Sequence, residues 1–184
     1  MTDGWCNRSR AAGRRVGWTV RLGPLLLATP ALALTLSSPA FHAGAVIPTP
    51  HTCDAANLSP ALSWSGVPAG TQRFALIADD PDAPGGTWVH WVLYDVPAQS
   101  TDLPQGVPAT DTLSNGAMHG VNDFRKVGYG GPCPPPGKPH RYVFKLYALD
   151  APTNLKPRAT KAEVLRAING HIVGQAELVG RYGR

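Results

Sequence analysis

Residues 79–95, DDPDAPGGTWVHWVLYD, decide how the rest of this chain is interpreted. Pro81 and Pro84 fix their own φ angles and disfavour helix at the residues before them. The carboxylates of Asp80 and Asp82 are therefore predicted to lie on a stiff, non-helical turn. The aromatic and β-branched residues that follow the glycine pair indicate a strand. The stretch thus predicts one half of a pocket, in which a carboxylate turn lies beside a strand.

Alternation along two neighbouring segments predicts which side chains share a face, because successive side chains of a strand point to opposite sides. In residues 88–95 the side chains predicted to share a face are Trp88, His90, Val92 and Tyr94. In residues 73–79 the side chains of Phe74, Leu76 and Ala78 are predicted to share one buried face. Asp80 continues the same alternation, so its carboxylate is predicted to point to the same side of the strand.

The second unusual segment is residues 128–139, GYGGPCPPPGKP. Its glycines let a ligand approach backbone N–H groups, and its prolines lower the entropy cost of holding the loop in place. The strand predicted at residues 140–149 places His140 and Tyr142 on one face and turns Arg141 away. A single strand histidine is usually structural, but two histidines that each follow a proline–glycine turn indicate that the strand ends converge.

Strand signals outnumber helix signals, and turn residues recur between them. We therefore predict a mainly β fold, with two antiparallel sheets packed as a β-sandwich. Thr160 and Glu163 form a capping box, which predicts one short C-terminal helix that ends before Gly170. A last strand is predicted at residues 175–182, and residues 96–126 are predicted to form long surface loops.

Residues 1–45 are predicted to be a secretory signal peptide with cleavage after Ala45. They contain five arginines, then an apolar run at residues 22–36, then the A-x-A pattern of Ala43-Gly44-Ala45. The run is short for a membrane span of about 20 residues, although an uncleaved anchor remains an alternative. One domain is therefore predicted at residues 46–184, in an exported protein that resides in the periplasm or outside the cell.

The formal net charge is +5, but removal of residues 1–45 leaves about +1. Without a basic stripe in the mature chain, nucleic acid is not a predicted partner. Membrane contact is expected at most through lipid headgroups or an uncleaved signal. Cys53 and Cys133 remain as an even pair in an oxidising compartment, so a disulfide is predicted. Two buried or loop thiols are the alternative.

Two motifs occur together and in order: DDPDAP followed by W-x-H, and GPCPPPGKPHRY followed by an alternating strand. Together they resemble the phosphatidylethanolamine-binding protein family, in its bacterial branch often labelled Raf kinase inhibitor-like. The similarity covers about residues 50 to 183, from the NLSPALSW segment to the ELVGRYG ending. The chain departs from the family in its short loop before Trp88 and in an extra cysteine in the proline loop. It also has no long C-terminal helix like that of the eukaryotic relatives.

The resemblance implies a β-sandwich with a small anion pocket. The residues that it implies as ligand-lining are Asp80, Pro84, Trp88, His90, Gly131, His140 and Tyr142. It implies Asp82 and Arg141 as structural supports, and we expect a bidentate pair between them.

The expected ligand is a phosphate monoester, a phospholipid headgroup or a carboxylate. Such an anion can accept hydrogen bonds from the glycine loop, from the two imidazoles and from the Tyr142 hydroxyl. Asp80 would repel an anion unless it orients a histidine, accepts a proton or meets a cationic group. We expect it to fix the tautomer of His90 or His140.

Other functions have weaker support. No G-x-S-x-G elbow is present and Cys133 has no obvious base beside it, so no catalytic residue is predicted. Asp80, His90 and His140 resemble a two-histidine, one-carboxylate metal set. No H-x-x-x-H or C-x-x-C spacing supports such a site, and neither a metal nor a cofactor is expected. The remaining alternative to ligand binding is inhibition of a secreted protease, or of another regulatory protein partner, by the stiff loop around Cys133.

Overall fold

Alternating segments of the chain form two antiparallel sheets that pack against each other as a β-sandwich. The computed structural model describes Gly4 and residues 33–184, and all the elements below lie in one unit, Ala31–Arg184. The predicted fold class is confirmed.

Eight strands and one helix are found in the described residues. In chain order the strands are β1 (Thr35–Ser37), β2 (Leu62–Ser65), β3 (Arg73–Asp80), β4 (Trp88–Pro97), β5 (Asp102–Leu103), β6 (Met118–His119), β7 (His140–Leu149) and β8 (Ile172–Tyr182). The helix, α1 (Lys161–Ile168), lies between β7 and β8, and a short 3-10 turn occupies Thr49–His51. The larger sheet has the order β6-β4-β3-β7-β8, and the smaller sheet has the order β1-β2-β5.

Apolar side chains from both sheets meet in one core between them. Phe144 of β7 and Leu36 of β1 are buried there, and Trp64 of β2 packs edge-on against Phe74 of β3 with ring centroids 5.3 Å apart. Each such fully buried side chain contributes about 1.5 to 3 kcal/mol. This core holds β3, β4 and β7 in fixed register, and these three strands carry the site described below.

The helix covers the opposite face of the larger sheet. Its Val164 and Ile168 are buried against Val92 and Tyr94 of β4. The predicted capping box is confirmed, because the Glu163 backbone N–H donates to the Thr160 hydroxyl and the Thr160 backbone N–H donates to the Glu163 carboxylate at 2.7 Å. The long segment between β4 and β7 contains only the two-residue strands β5 and β6, as the composition of residues 96–126 predicts.

A β-bulge at His90 changes the predicted grouping of side chains along β4. Ala78 of β3 pairs with Trp91, and the next residue of β3 pairs with Val89, so His90 is the extra residue. Trp88 and His90 share a face as predicted, but Val92 and Tyr94 lie on the helix side while Trp91 enters the core between the sheets. One inserted residue shifts the alternation by one position, and the side chains beyond it change faces.

The fold begins before residue 46, the domain start predicted from the sequence. Strand β1 pairs with β2, and Leu34, Leu36 and Phe41 are buried in the core between the sheets. The residues around the predicted cleavage site are also paired, since the Arg181 N–H donates to the Ala45 carbonyl at 2.9 Å. The apolar run at residues 22–36 therefore ends in core residues, because a buried strand and a signal peptide favour the same side chains.

Within the described part of the chain, no helix has both the length and the apolar character needed to cross a bilayer.

Candidate ligand-binding site

One cavity of about 210 Å³ lies where β3 ends and where β4 and β7 begin. Because neighbouring strands are antiparallel, the end of β3 and the starts of β4 and β7 lie at the same end of the sheet. The predicted residues that line the cavity are Asp80, Pro84, Trp88, His90 and His140. Lining residues that were not predicted are Ala83, Phe124, Cys133, Pro134 and Pro135. The structure thus brings both histidines and the Asp80 carboxylate of the DDPDAP turn to one cavity.

Asp80 holds His140, one of the two histidines expected to be its partner. The His140 Nδ1–H donates to Asp80 Oδ2 at 2.7 Å, and the Asp82 backbone N–H donates to Asp80 Oδ1 at 2.9 Å. Both carboxylate oxygens are therefore engaged, and Asp80 is 4% exposed. With Nδ1 fixed as the donor, Nε2 is the ring nitrogen of His140 that a ligand can reach.

His90 is held by backbone. Its Nδ1–H donates to the Gly130 carbonyl, and the Gly130 N–H donates back to the His90 carbonyl at 2.9 Å. Burial lowers the pKa of His90, which keeps the ring neutral near pH 7. A neutral ring with Nδ1 as donor offers Nε2 as an acceptor, so His90 becomes a donor to an anion only when it takes up a proton.

Tyr142 lies against His90, with the two rings edge-on at 5.1 Å. It is not among the residues that line the cavity. Its hydroxyl is buried and lies near Asp80, but it makes no hydrogen bond of good geometry to any described residue. Burial, and next the negative charge of Asp80, raise the pKa of Tyr142, so the hydroxyl keeps its proton and remains a donor. A buried donor without a partner costs about 1 to 3 kcal/mol, which a ligand or a water molecule would recover.

Gly131 has a different position from the one expected. Its N–H donates to the Asn57 side-chain oxygen at 2.7 Å, so this donor is already used. A Cβ at Gly131 would lie 2.5 Å from that oxygen and 2.5 Å from the His51 carbonyl oxygen. The glycine therefore allows the loop to pack tightly on residues 51–57, and it does not line the cavity.

The predicted pair between Asp82 and Arg141 is present. Arg141 donates from Nε to Asp82 Oδ2 at 2.9 Å and from Nη2 to Oδ1 at 2.7 Å, and its backbone N–H also donates to Oδ2. These hydrogen bonds hold the pKa of the Asp82 carboxyl well below its usual range. The two side chains are 32% and 53% exposed, so the pair joins the two motifs as a surface contact and not as a buried ion pair.

The proline loop forms a second wall of the cavity, and a disulfide and several hydrogen bonds hold it. The predicted disulfide between Cys53 and Cys133 is present, with a Cα–Cα distance of 5.4 Å. The Cys53 N–H donates to the Pro132 carbonyl at 3.0 Å. Arg184 donates from Nε to the Pro134 carbonyl at 2.8 Å. These contacts attach the loop to segments that are distant in sequence.

Phe124 is the lining residue that sequence reasoning missed most completely. Its ring lies 5.5 Å from Trp88 and 5.4 Å from His90, in edge-on contact with both. Asn122 shapes this loop, because its amide donates to the Gly128 carbonyl and its side-chain oxygen accepts from the Lys126 N–H. The available signal was a single aromatic residue among polar loop residues, which is a weak indication of a site.

The two-histidine, one-carboxylate arrangement does not form a metal site. In residues 33–184 no group of three His, Cys, Asp or Glu side chains is placed so that it could hold a metal ion. Asp80 instead uses both oxygens for His140 and for the backbone of its own turn.

The fold and the site define this protein as a β-sandwich with a small pocket, lined by two histidines and a carboxylate, at its strand ends. The family model for phosphatidylethanolamine-binding protein matches residues 37–183. The chain belongs to the phosphatidylethanolamine-binding protein family, as the two sequence motifs predict.

Three relatives illustrate the match. The chain is 48% identical to the UPF0098 protein of Methanothermobacter thermautotrophicus over 151 residues. The aligned region covers 82% of this chain and 99% of that protein. The crystal structure of the phosphatidylethanolamine-binding protein homolog CT736 from Chlamydia trachomatis is similar with a TM-score of 0.76 and 37% identity, over 83% of this chain and 99% of that one. The structure of E. coli YbcL, a member of the same family, gives a TM-score of 0.77 and 38% identity, over 82% and 98%.

Proposed function

We propose that this protein is a non-enzymatic binding protein whose cavity receives a small anionic group. The candidate groups are a phosphate monoester, a phospholipid headgroup and a carboxylate. The observation that carries the proposal is that His90 and His140 line one cavity of about 210 Å³ and that each has its Nδ1 engaged within the protein. The Nε2 atoms are then left for a ligand. A cavity below about 300 Å³ suits a small group better than a drug-sized molecule.

Anion binding beside Asp80 requires proton uptake or a protonated ligand. His140 and Asp80 form a close pair, and neutral His90 offers a lone pair at Nε2. A singly protonated phosphate fits this pattern, because its P–OH can donate to the neutral Nε2 atom of His90. Protonation of His90 would serve an unprotonated anion in the same way.

Two features favour binding over catalysis. The lining side chains include no serine or threonine hydroxyl. The only lining cysteine, Cys133, is committed to a disulfide, so it has no thiolate to act as a nucleophile.

Thermal-shift and calorimetric titrations test the proposal with inorganic phosphate, phosphate monoesters, phospholipid headgroups and carboxylates. His140→Asn is expected to weaken binding of the best ligand about tenfold or more, since it removes one charge-assisted hydrogen bond of about 1.5 to 3 kcal/mol. His171→Asn is the matched control, because His171 donates to Asp150 at 2.9 Å in an exposed pair of the same chemistry. The absence of any anion-dependent shift, or equal losses in both variants, would contradict the proposal.

Inhibition of a protease or another protein partner is a second candidate, favoured by the shape of the proline loop. Cys133 and Pro135 are exposed, while the disulfide and Arg184 hold the loop in place. A rigid exposed loop loses little entropy on binding. Inhibition assays against secreted proteases test this candidate, and Pro136→Ala, at an exposed loop position that does not line the anion cavity, should then weaken inhibition and keep anion binding.

Export is also proposed, with a boundary that keeps β1 in the mature protein. Cleavage after Ala45 would remove Leu34, Leu36 and Phe41 from the core, at about 1.5 to 3 kcal/mol for each. The residues Ala31-Leu32-Ala33 also form an A-x-A pattern, and cleavage there leaves the sandwich complete. N-terminal sequencing of the exported protein is expected to begin at Leu34. A stable, folded product that begins at Val46 would contradict this boundary.

A further inference from the structure

We infer that the ligand carries a second anionic group, which binds in a subsite beside the first cavity. The inference rests on the proposed function and extends it to a class of ligand. The subsite is a cavity of about 320 Å³ that shares Pro135 and His140 with the ligand cavity. The two cavities are therefore adjacent at His140.

The charges that line the subsite favour an anion. Lys138 lines it, is exposed, and forms no ion pair with any described residue. Asp82 also lines it, but the guanidinium of Arg141 already neutralises this carboxylate and donates to both of its oxygens. The unpaired charge at the subsite is therefore the Lys138 ammonium group. It can pair with a carboxylate or with a second phosphate of the ligand.

The walls of the subsite are preorganised. Pro135, Pro136 and Pro139 form much of its lining, and each has a restricted backbone. The Gly137 N–H donates to the Arg184 carbonyl at 3.1 Å, and the disulfide at Cys133 fixes the start of the same loop. Because the loop is already ordered, a second group of the ligand can bind there without a large loss of loop entropy.

The same arrangement disfavours an amine as the second group. An ammonium ion would lie near Lys138, and the carboxylate that could attract it is already paired with Arg141. The affinity of ligands that carry one phosphate should therefore depend on the charge of the group at the other end of the molecule. We expect an order of carboxylate, then uncharged methyl, then ammonium.

Calorimetric titration with three phosphate monoesters tests this order. Phosphoglycolate ends in a carboxylate, ethyl phosphate in a methyl group, and phosphoethanolamine in an ammonium group. Phosphoglycolate is expected to bind about two to five times more tightly than ethyl phosphate at low salt, which is the range for one exposed ion pair. The advantage should shrink at high salt, because an exposed pair is screened.

Lys138→Ala is expected to remove the advantage of phosphoglycolate and to leave the affinity for ethyl phosphate unchanged. Lys156→Ala is the matched control, since Lys156 is an exposed lysine on the loop before α1 and the substitution changes the net charge by the same amount. If neither ethyl phosphate nor any other anion of the thermal-shift panel binds the wild-type protein, the proposed function fails and this inference fails with it. If ethyl phosphate binds but phosphoglycolate gains nothing, or both lysine variants behave alike, only the subsite is wrong.

The two anionic groups could come from a free phosphorylated acid or from a lipid headgroup. Co-sedimentation with phosphatidylserine vesicles distinguishes the two sources. Vesicle binding that Lys138→Ala weakens about two- to fivefold and that Lys156→Ala leaves unchanged assigns the second group to a headgroup. If Lys138→Ala weakens the binding of phosphoglycolate but does not change the binding of vesicles, the second anionic group belongs to a free phosphate ester.

Discussion

The two walls of the ligand cavity are built in different ways. The strand wall consists of Asp80, His90 and His140 at the ends of three paired strands, and the β ladder fixes their positions. The loop wall consists of Phe124 and residues 133–135, and side-chain contacts and one disulfide hold it. The strand wall therefore supplies the hydrogen-bonding chemistry, and the loop wall supplies the shape of the cavity and controls access to it.

Breaking the disulfide is the change with the largest expected effect, and it acts on the loop wall. Cys53 and Cys133 are 80 positions apart. Closing a loop of this length restricts the unfolded chain by roughly 4 to 4.5 kcal/mol on the chain-entropy model. Reduction, or Cys53→Ser together with Cys133→Ser, is expected to lower the Tm and to loosen residues 128–139 first.

Amide hydrogen exchange measures which wall is affected. Under mild reducing conditions, protection should fall in residues 128–139 while it stays high in β3, β4 and β7. An equal loss of protection in both walls would show that the walls are not independent and would contradict the comparison. An unchanged Tm after complete reduction would show that the bond contributes little.

The strand wall is tested by two neighbouring carboxylates that lie on opposite faces of β3. Asp80 accepts from His140 in the cavity, whereas Asp79 accepts from Lys161 at 2.6 Å on the helix side. Replacing either residue with alanine leaves a donor without its partner, at about 1 to 3 kcal/mol of unfolding free energy. Similar losses of stability are therefore expected, and only Asp80→Ala should weaken anion binding.

The binding measurement also separates two effects of Asp80. Asp80→Ala removes a negative charge, which by itself would favour an anion, but it also frees the His140 ring to rotate and change tautomer. We expect the loss of orientation to dominate, so that affinity decreases. Tighter binding by Asp80→Ala would show that charge repulsion is the larger effect. Asp79→Ala serves as the control for lost stability.

Much of the strand wall could be predicted from the sequence, because the period of two and the proline turns act locally. The parity of β3 and β7 correctly placed Asp80, His140 and Tyr142 on one side, and the turn motif correctly placed Asp82 opposite Arg141. The bulge at His90 was not predictable from alternation, since β4 is buried on both faces and its hydrophobic pattern therefore does not show the shift. It moved Val92 and Tyr94 to the helix side.

The loop wall and the domain start were less predictable, because both depend on contacts between distant segments. The two cysteines outside the predicted signal peptide, Cys53 and Cys133, indicated the disulfide. No local pattern indicated that Phe124 would contact His90 or that Gly131 would donate to Asn57. The start of the domain was placed too late, because the leucines of β1 continue the apolar run of the predicted signal peptide.

The two aromatic residues at the rim allow a smaller test of the same comparison. Trp88 of the strand wall and Phe124 of the loop wall are 39% and 36% exposed and contact each other edge-on. Either alanine substitution removes this pair, worth about 0.5 to 1.5 kcal/mol, so similar small decreases in Tm are expected. Only Phe124→Ala also uncovers His90, because the Phe124 ring packs against it.

NMR titration of the His90 ring distinguishes the two rim variants. Burial is the main cause that lowers the pKa of His90, so Phe124→Ala should move this pKa upward toward its ordinary value. Trp88→Ala should change it less. An equal shift of the His90 pKa in both variants would mean that Trp88 and Phe124 shield His90 equally. The distinction between the two walls would then not hold at the rim.

The smallest expected effect is the pH dependence contributed by His90. Its pKa is lowered by burial in the folded protein and is about 6.5 in the unfolded chain. Below about pH 6.5 the unfolded chain therefore binds a proton that the folded protein does not, so the unfolding free energy falls as pH falls. The slope from this residue cannot exceed about 1.4 kcal/mol per pH unit, the limit for one proton.

The affinity for an anion should change with pH in the opposite direction to the unfolding free energy of the free protein. A protonated His90 can donate from Nε2 to the anion, so the complex holds the proton more tightly than the free protein does, and affinity should rise as pH falls. Comparing the Tm of wild type and His90→Asn from about pH 8 to pH 5, with and without phosphate, isolates the contribution. His119, whose pKa burial also lowers, is present in both proteins and cancels in the comparison. If wild type keeps the same additional pH dependence relative to His90→Asn with phosphate as without it, His90 does not take up a proton when the anion binds, and the strand wall recognises its ligand chiefly through His140.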